Sequence, residues 1–253
     1  TSSPEDRNSL YLPGDQLQYY KGDGFIDGGN TNTSGDESGF VIFGSDQSSG
    51  TARVRLNGNQ VNSGSAPVNG TLSDYVIGDD ISSGDEISGD IGEVITFSST
   101  LSDVQLILVQ NYLSAKYDIG TATDVYAGDN GGNGDYDRGV FGVGQSSTGS
   151  LHSTAETDGL RFNLVKGVED GDYLLVGHRT AENAATTSDI GGVSGTLEAR
   201  SERAWYVDRS NDANTDITAD VTVDLSEAGL VGPAGTASNY VLVERAAEAA
   251  DGT

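Results

Sequence analysis

Hydrophobic positions in this chain come in short alternating runs, and only one stretch carries helical spacing. Extended segments separated by Gly, Asp and Asn are predicted at Ser9–Leu12, Gln16–Tyr20 and Phe40–Phe43. From Lys21 to Gly39 the only large apolar residues are Phe25 and Ile26, and the segment reads as a long loop. Thr51–Asn62 alternates, with Ala52, Val54 and Leu56 on one face and Arg53 and Arg55 on the other, interrupted by Asn57-Gly58. Asn-Gly between two extended runs predicts a hairpin, because both central residues of a type I′ turn need positive φ. Asp74–Gly78 is a further strand, and Asp79–Asp90 is an acidic loop. Ile91–Phe97 then alternates as a strand with both faces partly covered.

The helix follows, over about 102–118. Ser102 and Gln105 have the spacing of a capping box, and Leu101 and Leu106 that of a hydrophobic staple. Asp103 in the first turn suits the positive end of the helix. Leu106, Val109 and Leu113 trace one apolar stripe and Val104, Leu108 and Tyr112 another, while Gln105, Gln110, Asn111 and Ser114 are expected largely elsewhere. Gly120 is the expected stop, and the helix is expected to pack on a sheet. After it, strands return at Val125–Ala127, Gly139–Gly144, Gly159–Val165, Asp172–Gly177, Arg203–Asp208, Ile217–Leu225 and Asn239–Arg245. About seven strands with turn-rich separators suggest a β-sandwich. Thr180–Ser194 reads as a small-residue loop and Ala246–Thr253 as a linker.

Composition narrows the partners. Thirteen Lys and Arg against 39 Asp and Glu give a formal charge of -26, a field that repels phosphate backbones and anionic lipid heads, so nucleic acid and direct membrane insertion are not expected. The same carboxylates offer oxygen ligands to hard cations such as Ca²⁺, although a solvated acidic surface accounts for most of them equally well. Glycine, at 36 residues, implies many turns. Cysteine is absent, which removes disulfides and thiolate metal sites. Methionine is absent too, and the chain reads as a processed product or a piece of a longer one.

Thr51-Ala-Arg-Val-Arg-Leu-Asn-Gly-Asn-Gln, Tyr75-Val-Ile-Gly, Gly89-Asp-Ile-Gly-Glu-Val-Ile-Thr-Phe and Gln110-Asn-Tyr-Leu-Ser-Ala-Lys-Tyr-Asp-Ile resemble the end of a concanavalin A-like, laminin-G-type jelly roll of bacterial surface proteins. In that family the last strand leads into a helix ending in Tyr-Leu-x-x-Lys-Tyr. The likeness covers residues 51 to 119, and the usual opening of such a domain is not recognisable. Val140-Phe-Gly-Val-Gly, Gly171-Asp-Tyr-Leu-Leu-Val-Gly-His, Arg203-Ala-Trp-Tyr-Val and Val221-Thr-Val-Asp-Leu resemble the β-rich module that often follows it. The resemblance implies an all-β chain of two β-sandwich modules, a jelly roll over 1–120 closed by the helix and a second module over 121–253. It also implies a secreted, cell-surface setting such as an adhesin.

Candidate chemistry lies in acidic, glycine-rich loops. Asp129, Asn130, Asn133, Asp135 and Asp137 place oxygen side chains among glycines, and Asp208, Asp212, Asn214 and Asp216 fall on alternate residues of a second loop. Both suit Ca²⁺ without the spacing of an EF-hand, and ordinary Asx turns satisfy the same pattern. Asp79, Asp80, Asp85 and Glu86 form a third acidic cluster. His152 and His178 lack a nucleophile motif and read as structural. A glycosidase needs two carboxylates at a defined separation, which abundance alone does not supply. Gly142-Val-Gly144 is not followed by a helix and is no nucleotide loop. Trp205 with Tyr206, and Tyr19 with Tyr20, have faces suited to sugar rings, although one of each neighbouring pair in a strand points inward and Trp205 reads as core.

The expected function is a non-enzymatic extracellular module of a bacterial adhesin or surface assembly, stabilised by Ca²⁺ and contacting carbohydrate or neighbouring surface subunits. One alternative is a homo-oligomeric or polymeric subunit of a filament or surface layer, completed by neighbouring chains. The other is an accessory or catalytic domain of a polysaccharide hydrolase.

Overall fold

The computed structural model describes residues 8–11, 16–21, 24–30, 40–65, 77, 89–179, 183–188, 199–210, 216–230, 235–236 and 239–244. It is built mostly of β-strands in several antiparallel sheets, with one helix among the described residues, and the chain divides into two units, Thr1–Leu101 and Ser102–Thr253. No helix among the described residues is long and apolar enough to cross a membrane.

The first unit holds two three-stranded sheets, β1 (Asn8–Tyr11), β2 (Gln16–Lys21) and β3 (Gly24–Asn30), then β4 (Phe43–Ser48), β5 (Thr51–Leu56) and β6 (Asn59–Ser65). The hairpin expected at Asn57-Gly58 joins β5 to β6, with φ of 46° and 83°. Asn57 also ties down the approach to β4, since its N–H donates to the Ile42 carbonyl at 2.9 Å and its Oδ1 accepts from the Ile42 N–H at 2.8 Å. The alternation in β5 holds as well. Ala52 and Val54 are fully buried against Ile26 and Phe43, while Arg53 and Arg55 reach Asp46 of β4 at 2.9 and 3.2 Å.

Three expectations fail here. β3 occupies part of the predicted 21–39 loop, because pairing with β2 and the seat of Ile26 in the core outweigh the turn-forming composition around it. β4 starts where the predicted 40–43 strand ends, and its polar residues are held by pairing with β5 and by the Asp46 ion pairs. Residues 91–97 form no strand, and Ile91, Val94, Ile95 and Phe97 are exposed. Of the predicted strand at Asp74–Gly78 only residue 77 is described, and the acidic loop after it lies outside the described residues as far as 88.

The second unit opens with α1 (Asp103–Tyr117). Gln105 Oε1 accepts from the Ser102 N–H at 3.0 Å, so the start is where the capping residues put it. The end comes earlier than Gly120. Asp118 takes the left-handed position at φ 53° and donates its N–H to the Ser114 carbonyl, a conformation Asp tolerates because its short polar side chain bonds locally. The buried residues are Val104, Leu108, Gln110, Asn111, Ser114 and Ala115. Three of the polar residues expected outside are therefore inside, because the helix is apolar on most sides and its partner selects the face.

That partner is a four-stranded sheet ordered β14 (Trp205–Ser210), β11 (Tyr173–His178), β7 (Arg138–Gln145) and β8 (Leu151–His152). Val104, Leu108 and Ala115 pack with Tyr126, Tyr136, Val140, Tyr173 and Leu175 on one face of it. On the other face Val143 and Val176 pack with Leu160 and Phe162 of a second sheet, β15 (Thr218–Val223), β10 (Leu160–Lys166) and β9 (Thr154–Thr157). A two-residue pair, β12 (Ala185–Thr186) with β13 (Arg200–Ser201), completes the strands. The helix thus belongs to the second unit, and the division falls after Leu101 rather than at the expected 120. The strand expected at 125–127 does not form, and that expected at 239–245 does not form over its described part, 239–244, whereas those expected near 139, 159, 172, 203 and 217 do.

Candidate cation-binding site

The 118–137 segment is fastened to the helix by one amide. Asn111, 1% exposed, donates through Nδ2 to the carbonyls of Ile107 and Thr123 at 2.9 and 2.8 Å and accepts the Val125 N–H on Oδ1 at 2.8 Å. The clamp sets Tyr126 into the core, where its hydroxyl donates to the Tyr136 carbonyl at 2.7 Å. Between these tyrosines the chain makes a closed loop on its own bonds. The Tyr136 N–H reaches the Gly128 carbonyl at 2.7 Å, Asn133 Nδ2 the Ala127 carbonyl at 2.7 Å, and the Gly132 N–H Asn130 Oδ1 at 2.9 Å. Gly128 is required here, since a Cβ would overlap the Tyr126 hydroxyl and the Tyr206 ring. Asp208 of β14 accepts the Ala127 N–H on Oδ2 at 2.6 Å and joins the two acidic loops of the sequence.

The electrostatics follow from that closure. Burial first, then the charges of Asp124, Asp118 and Asp137, push the Asp129 carboxyl up to about 6 against the lowering effect of a backbone hydrogen bond. Burial, and then Asp129, Asp208 and Asp137, raise the Tyr126 hydroxyl far above its ordinary value. Tyr206, 5.4 Å from Tyr136 between ring centroids, is raised by burial and by Asp208. Arg179 stacks on the far partner, 5.2 Å from the centre of the Tyr136 ring.

Of the residues singled out for metal, Asp208 meets the Ala127 N–H, and the charges of Asp129, Asp208 and Asp137 act on the Tyr126 hydroxyl. Asn133 turns its amide onto the loop backbone, and Asp135, at φ 54°, lies beside Gly131. Asp216 stands apart, fully exposed, with Arg209 Nη1 at 3.8 Å. Asp212 and Asn214 lie outside the described residues, as do Asp79, Asp80, Asp85 and Glu86. Among the described residues no group of three or more His, Cys, Asp or Glu side chains is gathered as a metal shell. The sequence reading missed Asp118 and Asp124. Asp118 is placed by the helix C-cap, and Asp124 follows the clamped Thr123 and accepts the Tyr126 N–H on Oδ1 at 3.2 Å.

The histidines lie elsewhere. His178 is buried with Nε2 3.0 Å from Asp158 Oδ2, and Arg203 Nη1 donates to the Asp158 carbonyl at 2.9 Å. His152 is half-buried, and desolvation lowers its pKa. Trp205 packs into the cluster between the two sheets, and its Nε1 is buried without a hydrogen-bond partner. Tyr206 points to the opposite face, among Tyr126 and Tyr136. Tyr19 and Tyr20 lie in β2, and their side chains are outside the description. Comparison with protein-family models, with curated proteins and with solved structures yields no match to this chain.

Proposed function

We propose that the chain is a non-enzymatic extracellular module of a bacterial cell-surface adhesin or surface assembly, with Ca²⁺ bound at the 124–137 loop. The observation that supports the reading is the loop closed on Gly128, Asn130 and Asn133 with Asp208 tied to the Ala127 N–H. Within it, burial and then the charges of Asp124, Asp118 and Asp137 raise the Asp129 carboxyl to about 6. A carboxyl raised in part by neighbouring negative charge is relieved by a divalent cation, and Ca²⁺ takes carbonyl and amide oxygens beside carboxylates. Asp129, Asp137 and Asp208 supply charge, while Asn133 and Asp135 shape the loop. A net charge of -26 suits a protein exposed to millimolar divalent cations.

The finer architecture belongs to the same proposal. The first unit is read as a jelly roll on its sequence resemblance. The second is read as a β-sandwich on the cluster shared by its two sheets. In this reading carbohydrate or neighbouring surface proteins are the contacts, and the loop positions them.

Calorimetric titration of the metal-stripped chain with Ca²⁺ tests the site. Binding that weakens at least tenfold in Asp129→Asn and is unchanged in Asp216→Asn supports it. No heat at millimolar Ca²⁺, or equal losses in both variants, removes it. A glycan screen in Ca²⁺ and in chelator tests the contact role separately.

A further inference from the structure

The two sheets of the second unit are closed at one side and open at the other. The chain passes from β8 to β9 through Ser153 alone, which closes the first side. On the opposite side the sheets end in edge strands β14 and β15. Both leave inward-facing side chains uncovered. Val207 shares a face with Trp205, which packs in the cluster between the sheets, yet Val207 is 56% exposed. Val221 and Val223 stand directly opposite Phe162 and Leu160, both buried in that cluster, and are 56% and 41% exposed. Residues on the core's own face that remain in solvent mark room for another strand.

The carboxylates of β14 and β15 are turned away from the opening. Asp208 turns to the helix side to meet Ala127, and Asp220, opposite Asn163, lies on the outer face. Arg209, on the Val207 face of β14 and opposite Leu174, stands toward the end of that strand with Asp216 at 3.8 Å. Between Val207, Val221 and Val223 the mouth is apolar, and it suits an apolar extended segment. Two exposed segments have this character. Ile91–Phe97 carries Glu93 at its centre. Asn239–Glu244, reading Asn-Tyr-Val-Leu-Val-Glu, is neutral until its last residue and forms no strand, and its Leu242 is 96% exposed. Local bonds hold its base, from the Asn239 N–H to the Thr236 carbonyl at 2.8 Å and from the Gly235 N–H to the Tyr240 hydroxyl at 3.2 Å.

We infer that Asn239–Glu244 of one copy adds as an edge strand to the open β14/β15 side of a second copy of this chain. Every copy carries an exposed donor segment and an acceptor side whose edge strands have no further partner strand among the described residues. Main-chain hydrogen bonds to the edge supply affinity, and the alternating side chains cover Val207, Val221 and Val223. A six-residue strand is small against the roughly 20 to 30 residues a side of a standard interface, so the association is weak. Like charges of -26 oppose it, so it strengthens as salt shortens the screening length. The inference does not rest on the Ca²⁺ site.

Sedimentation equilibrium of the whole chain in chelator and high salt, from about 5 µM to about 500 µM, provides the test. The mass is expected to rise to a dimer or beyond at the upper end, and less so at low salt. Leu242→Asp removes the donor and Val221→Asp the acceptor. Each is expected to stay monomeric alone, while a mixture of the two associates because it holds one intact donor and one intact acceptor. Both positions are exposed, and circular dichroism checks folding, with Leu242→Asn and Val221→Asn as replacements where an Asp variant misfolds. A chain monomeric throughout, or association indifferent to these variants, overturns the inference. So does a monomer whose 239–244 amides resist hydrogen exchange, since the strand then closes its own copy.

Discussion

The two units solve the same problem with different means. The second buries both faces of its central sheet, one under α1 and the other under β9 and β10, so Leu175 and Val143 on opposite faces are both fully buried. The first has a core of Ile26, Ala52 and Val54 with Phe43 against it, and much of its β4–β5 register rests on Asp46 between two arginines. Stability of the second unit therefore rests chiefly on apolar burial spread over many residues. That of the first is partly electrostatic and depends on few residues.

The largest expected effect tests that contrast. Leu175→Ala removes a fully buried side chain from the clamped face and should cost about 3 kcal/mol, against about 2 kcal/mol for Val54→Ala. Calorimetry is expected to show two transitions, each variant lowering its own. A single transition moved by both would end the contrast between the units. Asn111→Ala follows, leaving the Thr123 carbonyl and the Val125 N–H without their amide partner, for about 2 kcal/mol in urea unfolding. The same variant should weaken Ca²⁺ binding, because the clamp fixes the backbone on both sides of Asp124.

Asp129→Asn should act in the other direction. Its pKa is raised in the fold, so between about pH 4 and pH 6 the folded state holds more protons than the unfolded, and stability falls as pH rises through that window. In chelator at pH 7 the variant should gain about 1 kcal/mol, a figure discounted because the group is about half exposed, and nothing below pH 4. In saturating Ca²⁺ the gain should become a loss. The smallest effect is that of Asp46→Asn in the first unit, about 0.5 kcal/mol and shrinking in 1 M salt. A full-sized loss at high salt would show that packing, not charge, holds β4.

Elements specified by neighbouring residues were legible in the sequence. The Asn57-Gly58 turn, the Ser102 cap and the alternation of β5 need nothing beyond a few residues of chain. What failed depends on partners far away in sequence. β3 exists because β2 and Val54 receive it, and residues 91–97 have strand composition without a strand to join. The buried side of α1 could not be read from a helix apolar on most sides. At the candidate site Asp129, Asp137 and Asp208 were visible as loop residues, but the bond from the Ala127 N–H that ties Asp208 to the first loop was not. Asp118 and Asp124 enter only through the fold of 111–125.

The Asn111 clamp also bears on the order in which the chain acquires structure. Its bonds span 12 and 14 residues and start from a helix with its own cap, whereas β10 meets β15 only across some 60 residues of intervening chain. Short closures cost less entropy and form sooner. The acidic loop is thus shaped while both sheets are still incomplete, and pulsed hydrogen-exchange labelling during refolding should find Val125 protected before Val221. Under the proposed Ca²⁺ binding, an ion present at that moment would meet a nearly finished loop.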